Sequence, residues 1–203
     1  KNIARNLALK SNLFICPGLN NKDLEKDDLE KKCNEIGFPI LIKASAGGGG
    51  IGMQIVNNYS ELVKSIEKTK NLAKKAFGNS DVFLEKFIKN ARHIEIQIFG
   101  FGEKKAVHFY ERDCSIQRRF QKIIEESPAP KIEPDIINTM AESAVNFATN
   151  QKYEGAGTIE FIYDVDEKKF YFLEMNTRIQ VEHPVTESIT NSDLVEMQIK
   201  FAL

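Results

Sequence analysis

The sequence has little to cross-link it. Its three cysteines, Cys16, Cys33 and Cys114, are odd in number and show no CxxC spacing. Neither a disulfide framework nor a zinc site is suggested, and the thiols read as reduced and structural. Nor does either charge dominate. With 28 Lys and Arg against 29 Asp and Glu, the chain is neither a polycation seeking nucleic acid nor an acidic tail. No apolar run approaches the length needed to span a bilayer, and the first residues lack a signal-peptide pattern. The reading is a chain without nucleic-acid or membrane partners, cytoplasmic, or mitochondrial or plastid if the source is eukaryotic. Internal repeats and low-complexity linkers are missing too, and 203 residues suffice for one or two packed units. The sequence opens without methionine and stops inside an apolar helical pattern, Ile199-Lys-Phe-Ala-Leu203, which suggests a piece of something longer.

Two common nucleotide signatures also fail. Gly47, Gly49 and Gly52 fit GxGxxG by spacing, but that fingerprint needs a helix directly after the loop, and the extended Met53-Gln-Ile-Val56 follows instead. No Gly-Lys-Ser/Thr completes a Walker pattern. What is present is Pro39-Ile-Leu-Ile-Lys-Ala44, a short apolar strand with one basic residue, running into Ser45-Ala-Gly-Gly-Gly-Gly-Ile-Gly52. A linker would also be glycine-rich. Four consecutive glycines between two strands favour a hairpin loop whose backbone N–H groups approach and cradle a phosphate.

Periodicity predicts a helix over Lys1–Ser11 with Ile3, Leu7 and Leu9 inward. A second follows over Asn20–Ile36, with Leu24, Leu29, Cys33 and Ile36 on one face, and a third, capped by Ser60, runs to Phe77 with Leu62, Ile66, Leu72 and Phe77 inward. Strands are expected around Val82–Ile88, His93–Phe99, Lys105–Tyr110 and Gln121–Ile124. A helix over Glu133–Gln151 and a last one capped near Ser192 or Asp193 complete the pattern.

The most informative stretch is Phe170-Tyr-Phe-Leu-Glu-Met-Asn-Thr-Arg-Ile-Gln-Val-Glu182. If extended, Glu174, Asn176, Arg178, Gln180 and Glu182 share one face and Leu173, Met175 and Ile179 the other. The preceding Thr158-Ile-Glu-Phe-Ile-Tyr163 alternates, and folding about a turn centred near Glu167 sets Glu160 opposite Glu174. Like charges directly opposite on a sheet destabilise it. Either the pair lies on an exposed edge, or something positive sits between the carboxylates, for which a hard, oxygen-seeking cation such as Mg²⁺ is the natural candidate.

Taken together these stretches resemble the ATP-grasp biotin carboxylases of biotin-dependent carboxylases. The resemblance covers essentially the whole chain: Lys43-Ala-Ser-Ala-Gly-Gly-Gly-Gly50, Glu85-Lys86, Arg92-His-Ile-Glu-Ile-Gln97, Glu111-Arg-Asp-Cys-Ser-Ile-Gln-Arg-Arg119, Gln121-Lys-Ile-Ile-Glu-Glu126 and Glu174-Met-Asn-Thr-Arg-Ile-Gln-Val-Glu-His-Pro-Val-Thr-Glu187. It implies an α+β, ATP-grasp fold, with a glycine-rich lid subdomain packed over a mainly antiparallel sheet with helices. Residues 1–15 would end a preceding subdomain, 16–87 would form the lid and 88–203 the catalytic subdomain, with the nucleotide between lid and sheet.

The implied activity is ATP-dependent formation of carboxyphosphate from bicarbonate, then carboxylation of biotin on a carrier domain, as part of an acyl-CoA carboxylase. Lys1, Lys43, Gly49 and Gly50 would meet the phosphates, Glu85, Lys86, Phe87 and Ile88 would line the adenine, His93 would meet the ribose side, and Met53 and Gln117 would also bind the nucleotide. Glu160, Glu174 and Asn176 would hold Mg²⁺ or Mn²⁺. Lys122, Arg178, Gln180, Val181 and Glu182 would meet bicarbonate, with Glu182 as the base and Arg178 stabilising charge on biotin. A carboxyltransferase and a second copy of the chain are the implied partners. Urea or pyruvate as final acceptor, or a non-catalytic regulator on the same fold, are the alternatives. Ile51 and Phe120 stand where many members carry a basic residue and a histidine. Replacing Gly49 with Val in the full-length protein is expected to weaken ATP binding; unchanged affinity by calorimetric titration would reject the loop assignment.

Overall fold

The computed structural model describes residues 2–46, 52–118 and 121–203, the side chains of Asn2 and Ile3 excepted. Within it run α1 (Asn2–Lys10), β1 (Gly18–Leu19), a 3₁₀ turn (Asn21–Asp23), α2 (Leu29–Ile36), β2 (Ile40–Ala44), β3 (Met53–Val56), α3 (Tyr59–Phe77), β4 (Val82–Lys86), β5 (Ala91–Phe101), β6 (Ala106–Arg118), β7 (Gln121–Glu126), α4 (Pro134–Asn150), β8 (Glu154–Asp164), β9 (Lys169–Asn176), α5 (His183–Thr190) and α6 (Leu194–Ala202). The chain divides into two compact units, one built from Cys16–Lys89 and the other from Ile3–Ile15 with Asn90–Leu203. The α1 segment thus packs with the second unit, where Ala8 and Leu13 join the core.

The first unit is a four-stranded sheet, order β1-β4-β2-β3, backed by helices. Ile40, Ile42 and Leu84 point from it onto Leu62 and Ile66 of α3 and Cys33 of α2. β2 and β3 pair antiparallel as the hairpin reading requires, and the Ala44 N–H donates to the Gly52 carbonyl at 3.0 Å, closing the base of the glycine loop. Gly52 sits at φ +75 and a Cβ there would meet that of Ala44 at 3.0 Å, so the position demands glycine. Gly49 and Gly50, on which the phosphate reading turns, lie outside the described residues, as do Lys1, Ile51 and Phe120.

Several boundaries differ from the periodicity reading. The second helix begins at Leu29, because Asp23 accepts from the Asn20 N–H and closes a 3₁₀ turn, and a fresh helix starts after Asp28. The third is capped by Asn58, whose Oδ1 accepts from the Glu61 N–H at 2.9 Å, rather than by Ser60. Leu9 and Leu72 face outward at 52% and 49% exposure, and Ala8 and Ala73 take the inward positions.

The second unit is an antiparallel five-stranded sheet, order β7-β6-β5-β8-β9. Along β5 Ile94, Ile96 and Ile98 alternate with Glu95 and Gln97, the period of a strand with two distinct faces. The isoleucines pack with Ile159 and Phe161 onto Met140, Ala144 and Phe147 of α4. Glu95 and Gln97 face the other way and are buried as well. That second, polar face carries the site.

Candidate active site

The β8–β9 hairpin turns one half-step earlier than a centre at Glu167 would give: Asp164 pairs with Lys169 and Phe161 with Phe172. Continued unchanged, that register would set Glu160 against Leu173. A bulge between Glu160 and Phe161 shifts it, so Glu160 does stand opposite Glu174. Bulges of this kind re-aim side chains next to functional sites. Glu160 in turn faces Glu95 on β5, and Glu95 faces Arg112 on β6. Three carboxylates and one guanidinium therefore form a single row, Glu174–Glu160–Glu95–Arg112, across four strands.

Around Glu95, Glu160 and Glu182 one side chain brings positive charge. From β7, Lys122 Nζ reaches Glu182 at 2.7 Å and Glu160 at 3.2 Å and also pairs with Glu95. Burial alone would discharge this ammonium, but Glu95 and Glu160 hold its pKa above the ordinary value. Glu160 accepts from four donors: Asn176 Nδ2 at 2.6 Å, Lys122, Gln180 Nε2 at 3.3 Å, and His93 Nε2 at 2.7 Å. Burial pushes the Glu160 carboxyl up, yet the His93 hydrogen bond and the charge and hydrogen bond of Lys122 prevail and bring it down to about 2. The Gln117 amide fixes the imidazole tautomer. Its Nε2 donates to Cys114 O at 2.7 Å and lies 2.8 Å from His93 Nδ1, which leaves Nε2–H of His93 to donate to Glu160.

The polar row does not continue as a strand. β9 ends at Asn176, the His183 N–H donates to the Gln180 carbonyl at 3.2 Å, and Pro184 opens α5 in its first turn. Gln180 is buried and Val181 is 90% exposed. Arg178 is exposed and donates to its neighbour's carbonyl, Ile179 O, at 3.1 Å; it shares no strand face with Glu182. Glu182 instead stands at the N-terminus of α5. Burial raises its carboxyl, and the Lys122 hydrogen bond together with the charges of Lys122 and Arg112 brings it below the ordinary range.

The oxygen donors expected for Mg²⁺ fit such an ion. Glu160 and Asn176 are in contact, and Glu174, directly across from Glu160, makes no hydrogen bond or ion pair among the described residues. Two carboxylates and an amide are hard ligands suited to Mg²⁺ or Mn²⁺. Of the residues expected to meet the nucleotide in the first unit, the six that are described, Lys43, Met53 and Glu85–Ile88, are placed by β2–β4 and the segment after it. Lys43 pairs with Glu85 at 2.5 Å, opposite Met53 on β3. Lys86 and Phe87 donate their N–H groups to Pro17 O at 2.8 Å and Pro39 O at 3.0 Å, and Ile88 is buried.

Sequence reasoning passed over Glu95, Gln97, Arg112, Glu125 and Thr186. The alternation of Glu95 and Gln97 with isoleucines was the available signal for a polar strand face. Glu125 has an Oε2 that is buried without a hydrogen-bond partner, 3.7 Å from Arg112 Nε. Burial raises its carboxyl to about 7, the charges of Glu95 and Glu182 adding to the effect.

Residues 1–203 match the family of carbamoyl-phosphate synthase L chain, ATP binding domains, and the chain belongs to it. It is 46% identical over 202 residues to biotin carboxylase 1 of Bacillus subtilis, covering 100% of this chain and 45% of that protein. It is likewise 46% identical over 202 residues to the mitochondrial methylcrotonoyl-CoA carboxylase subunit alpha of Mus musculus, covering 100% of this chain and 28% of the other. The Hydrogenobacter thermophilus 2-oxoglutarate carboxylase biotin carboxylase domain, a dimer solved with MgADP, ADP and bicarbonate, superposes with a TM-score of 0.86 at 45% identity over 97% of this chain and 43% of that one. The fold is thus that of the biotin carboxylase ATP-grasp domains, an α+β architecture. The chain spans less than half the length of these relatives.

Because the folded pKa of Glu125, about 7, lies above its ordinary 4.5, its contribution to stability is full below pH 4.5 and is lost as pH rises through 7. Glu125→Gln removes that loss. The melting temperature of the variant relative to the parent is expected to climb between pH 5 and pH 8, by an amount on the order of 2 kcal/mol in stability. A difference that stays flat across this range, followed by calorimetry, would contradict the assignment.

Proposed function

We propose that this chain carries the nucleotide and bicarbonate machinery of a biotin carboxylase, which activates bicarbonate with MgATP and carboxylates biotin on a carrier domain. The observation that carries the reading is Lys122 held among Glu95, Glu160 and Glu182, with Gln180 and Asn176 on the same carboxylate. A purely structural cluster has no need of three carboxylates around one lysine. A site that must trade them for an anion and a cation does.

In this reading the glycine-rich unit, residues 16–87, supplies the phosphate and adenine contacts, through Lys43, Gly49, Gly50, Met53 and Glu85–Ile88. Residues 88–203 supply the metal and bicarbonate contacts, and residues 1–15 end a preceding subdomain, Lys1 adding a phosphate contact. Glu160, Glu174 and Asn176 would hold Mg²⁺ or Mn²⁺, which supplies charge neutralisation at the phosphates being separated. His93 lies against Glu160 and Gln117 against His93, so the pair would orient that carboxylate as well as face the nucleotide.

Bicarbonate is a poor nucleophile, so it must be held in place and deprotonated there. Lys122, Gln180 and the backbone at Val181 bind the anion and Glu182 takes its proton, while Arg178 meets the charge that develops on biotin. In the ligand-free arrangement Glu182 is a weak base because Lys122 is hydrogen-bonded to it at 2.7 Å. When the ammonium turns to bicarbonate, Glu182 loses that partner and its basicity rises. Substrate binding and activation of the base are one event.

The acceptor is an acyl-CoA in our reading, supported by the likeness to methylcrotonoyl-CoA carboxylase, with a carboxyltransferase and carrier domain as partners and a homo-oligomeric, cytoplasmic assembly. No helix among the described residues is long and apolar enough to cross a membrane. The same 46% identity to a biotin carboxylase from a different source gives no preference among acceptors, which leaves urea and pyruvate carboxylation as alternatives. Full-length protein is expected to hydrolyse ATP only with bicarbonate, and faster with free biotin. Glu182→Gln should keep ATP binding and lose turnover by roughly 100-fold or more. A variant that carboxylates biotin at the parent rate excludes Glu182 as the base.

A further inference from the structure

Arg112 has no part in the chemistry drawn above, yet it is the largest fully buried side chain among the described residues. A guanidinium has five N–H donors in a planar fork, and all five are taken. Nε donates to Glu95 Oε1 at 2.6 Å, one terminal nitrogen to Gln97 Oε1 at 2.8 Å and Thr186 Oγ1 at 2.7 Å, and the other to Gln180 Oε1 at 3.2 Å and Thr158 Oγ1 at 3.4 Å. With the fork saturated, Glu125 Oε2 stands 3.7 Å from Nε and accepts no hydrogen bond.

The acceptors come from β5, β8, the loop after β9 and α5, so one side chain fastens that loop and helix to the sheet. Two of the contacts decide orientation. Arg112 holds the Gln180 amide by its oxygen, which turns Nε2 toward Glu160. Freed, the amide could turn and present its oxygen to an anion, the wrong polarity for binding it. Arg112 also takes one oxygen of Glu95, and the other oxygen pairs with Lys122.

We propose that Arg112 is the positioning residue of the bicarbonate site, setting the polarity of the Gln180 amide directly and the place of Lys122 through Glu95. The inference rests on the bicarbonate reading given above. Lysine keeps the charge but offers three donors from one point and cannot reproduce the fork. In full-length Arg112→Lys the KM for bicarbonate is expected to rise on the order of 10-fold or more. The KM for MgATP should stay within about twofold to threefold, since hydrogen-bond losses of that size are confined to the groups that lose a partner.

A merely structural arginine would shift both constants together or lower the melting temperature with neither constant changed, and either result overturns the proposal. If Arg112→Lys does not fold, Thr186→Val, which removes one acceptor with nearly the same shape, decides by the same ratio of the two constants, with a smaller rise expected for bicarbonate. A parent enzyme that turns over ATP without regard to bicarbonate would sink the functional reading and this inference together. A bicarbonate-dependent parent whose variants show no selective change sinks the inference alone.

Discussion

Like charges lined up across a buried sheet face are the constraint on which this structure depends. Glu174, Glu160 and Glu95 follow one another across three strands, Glu160 facing both of the others, and Glu95 and Glu160 are 0% and 4% exposed. Such a row is tolerable only if cations and donors meet every buried oxygen. Arg112 caps one end from within the sheet, Lys122 bridges from the edge strand, and His93, Asn176 and Gln180 complete the shell around Glu160. The loop after β9 and the start of α5 are where they are because these groups reach for the same two cations.

Stability and chemistry therefore draw on one set of contacts. In the reading proposed above, the ammonium that pairs with Glu95, Glu160 and Glu182 would also meet the incoming anion, while Glu160 would be offered to a metal and Glu182 to a proton. Each substrate would replace a protein partner with one of like charge: bicarbonate for Glu182 at Lys122, a divalent cation for the donors around Glu160. Glu125 Oε2, beside the saturated fork, is 3.7 Å from Arg112 Nε and accepts no hydrogen bond.

Much of this was readable along the chain, and the rest was not for definite reasons. The β2–β3 hairpin around the glycines and the pairing of Glu160 with Glu174 follow from local alternation and short turns, which sequence carries directly. Even there a bulge at Glu160 was needed to deliver a pairing that a simple turn centre gave by a different count. The sequence reading places a hard cation between Glu160 and Glu174; in this structure Lys122 pairs with Glu160 on its other side, together with Glu95 and Glu182, and does not reach Glu174. Period-two reading failed beyond Asn176, where Pro184 and the α5 N-terminus end the strand and separate Arg178 from Glu182. Arg112 was invisible because its meaning depends on the β5–β6 register and on an α5 threonine 74 positions away. Only the assembled sheet brings those acceptors to one point.

The central claim is that bicarbonate is activated at this cluster by attack of one of its own oxygens on the terminal phosphate of ATP. The most direct measurement supplies full-length enzyme with bicarbonate labelled in all its oxygens with the heavy isotope and follows the phosphate released, by mass or by phosphorus NMR. An attacking oxygen stays on phosphorus when carboxyphosphate breaks its carbon–oxygen bond, so each phosphate is predicted to carry one labelled atom. Unlabelled phosphate, formed while biotin is carboxylated, would mean that bicarbonate never meets the nucleotide and would contradict the account.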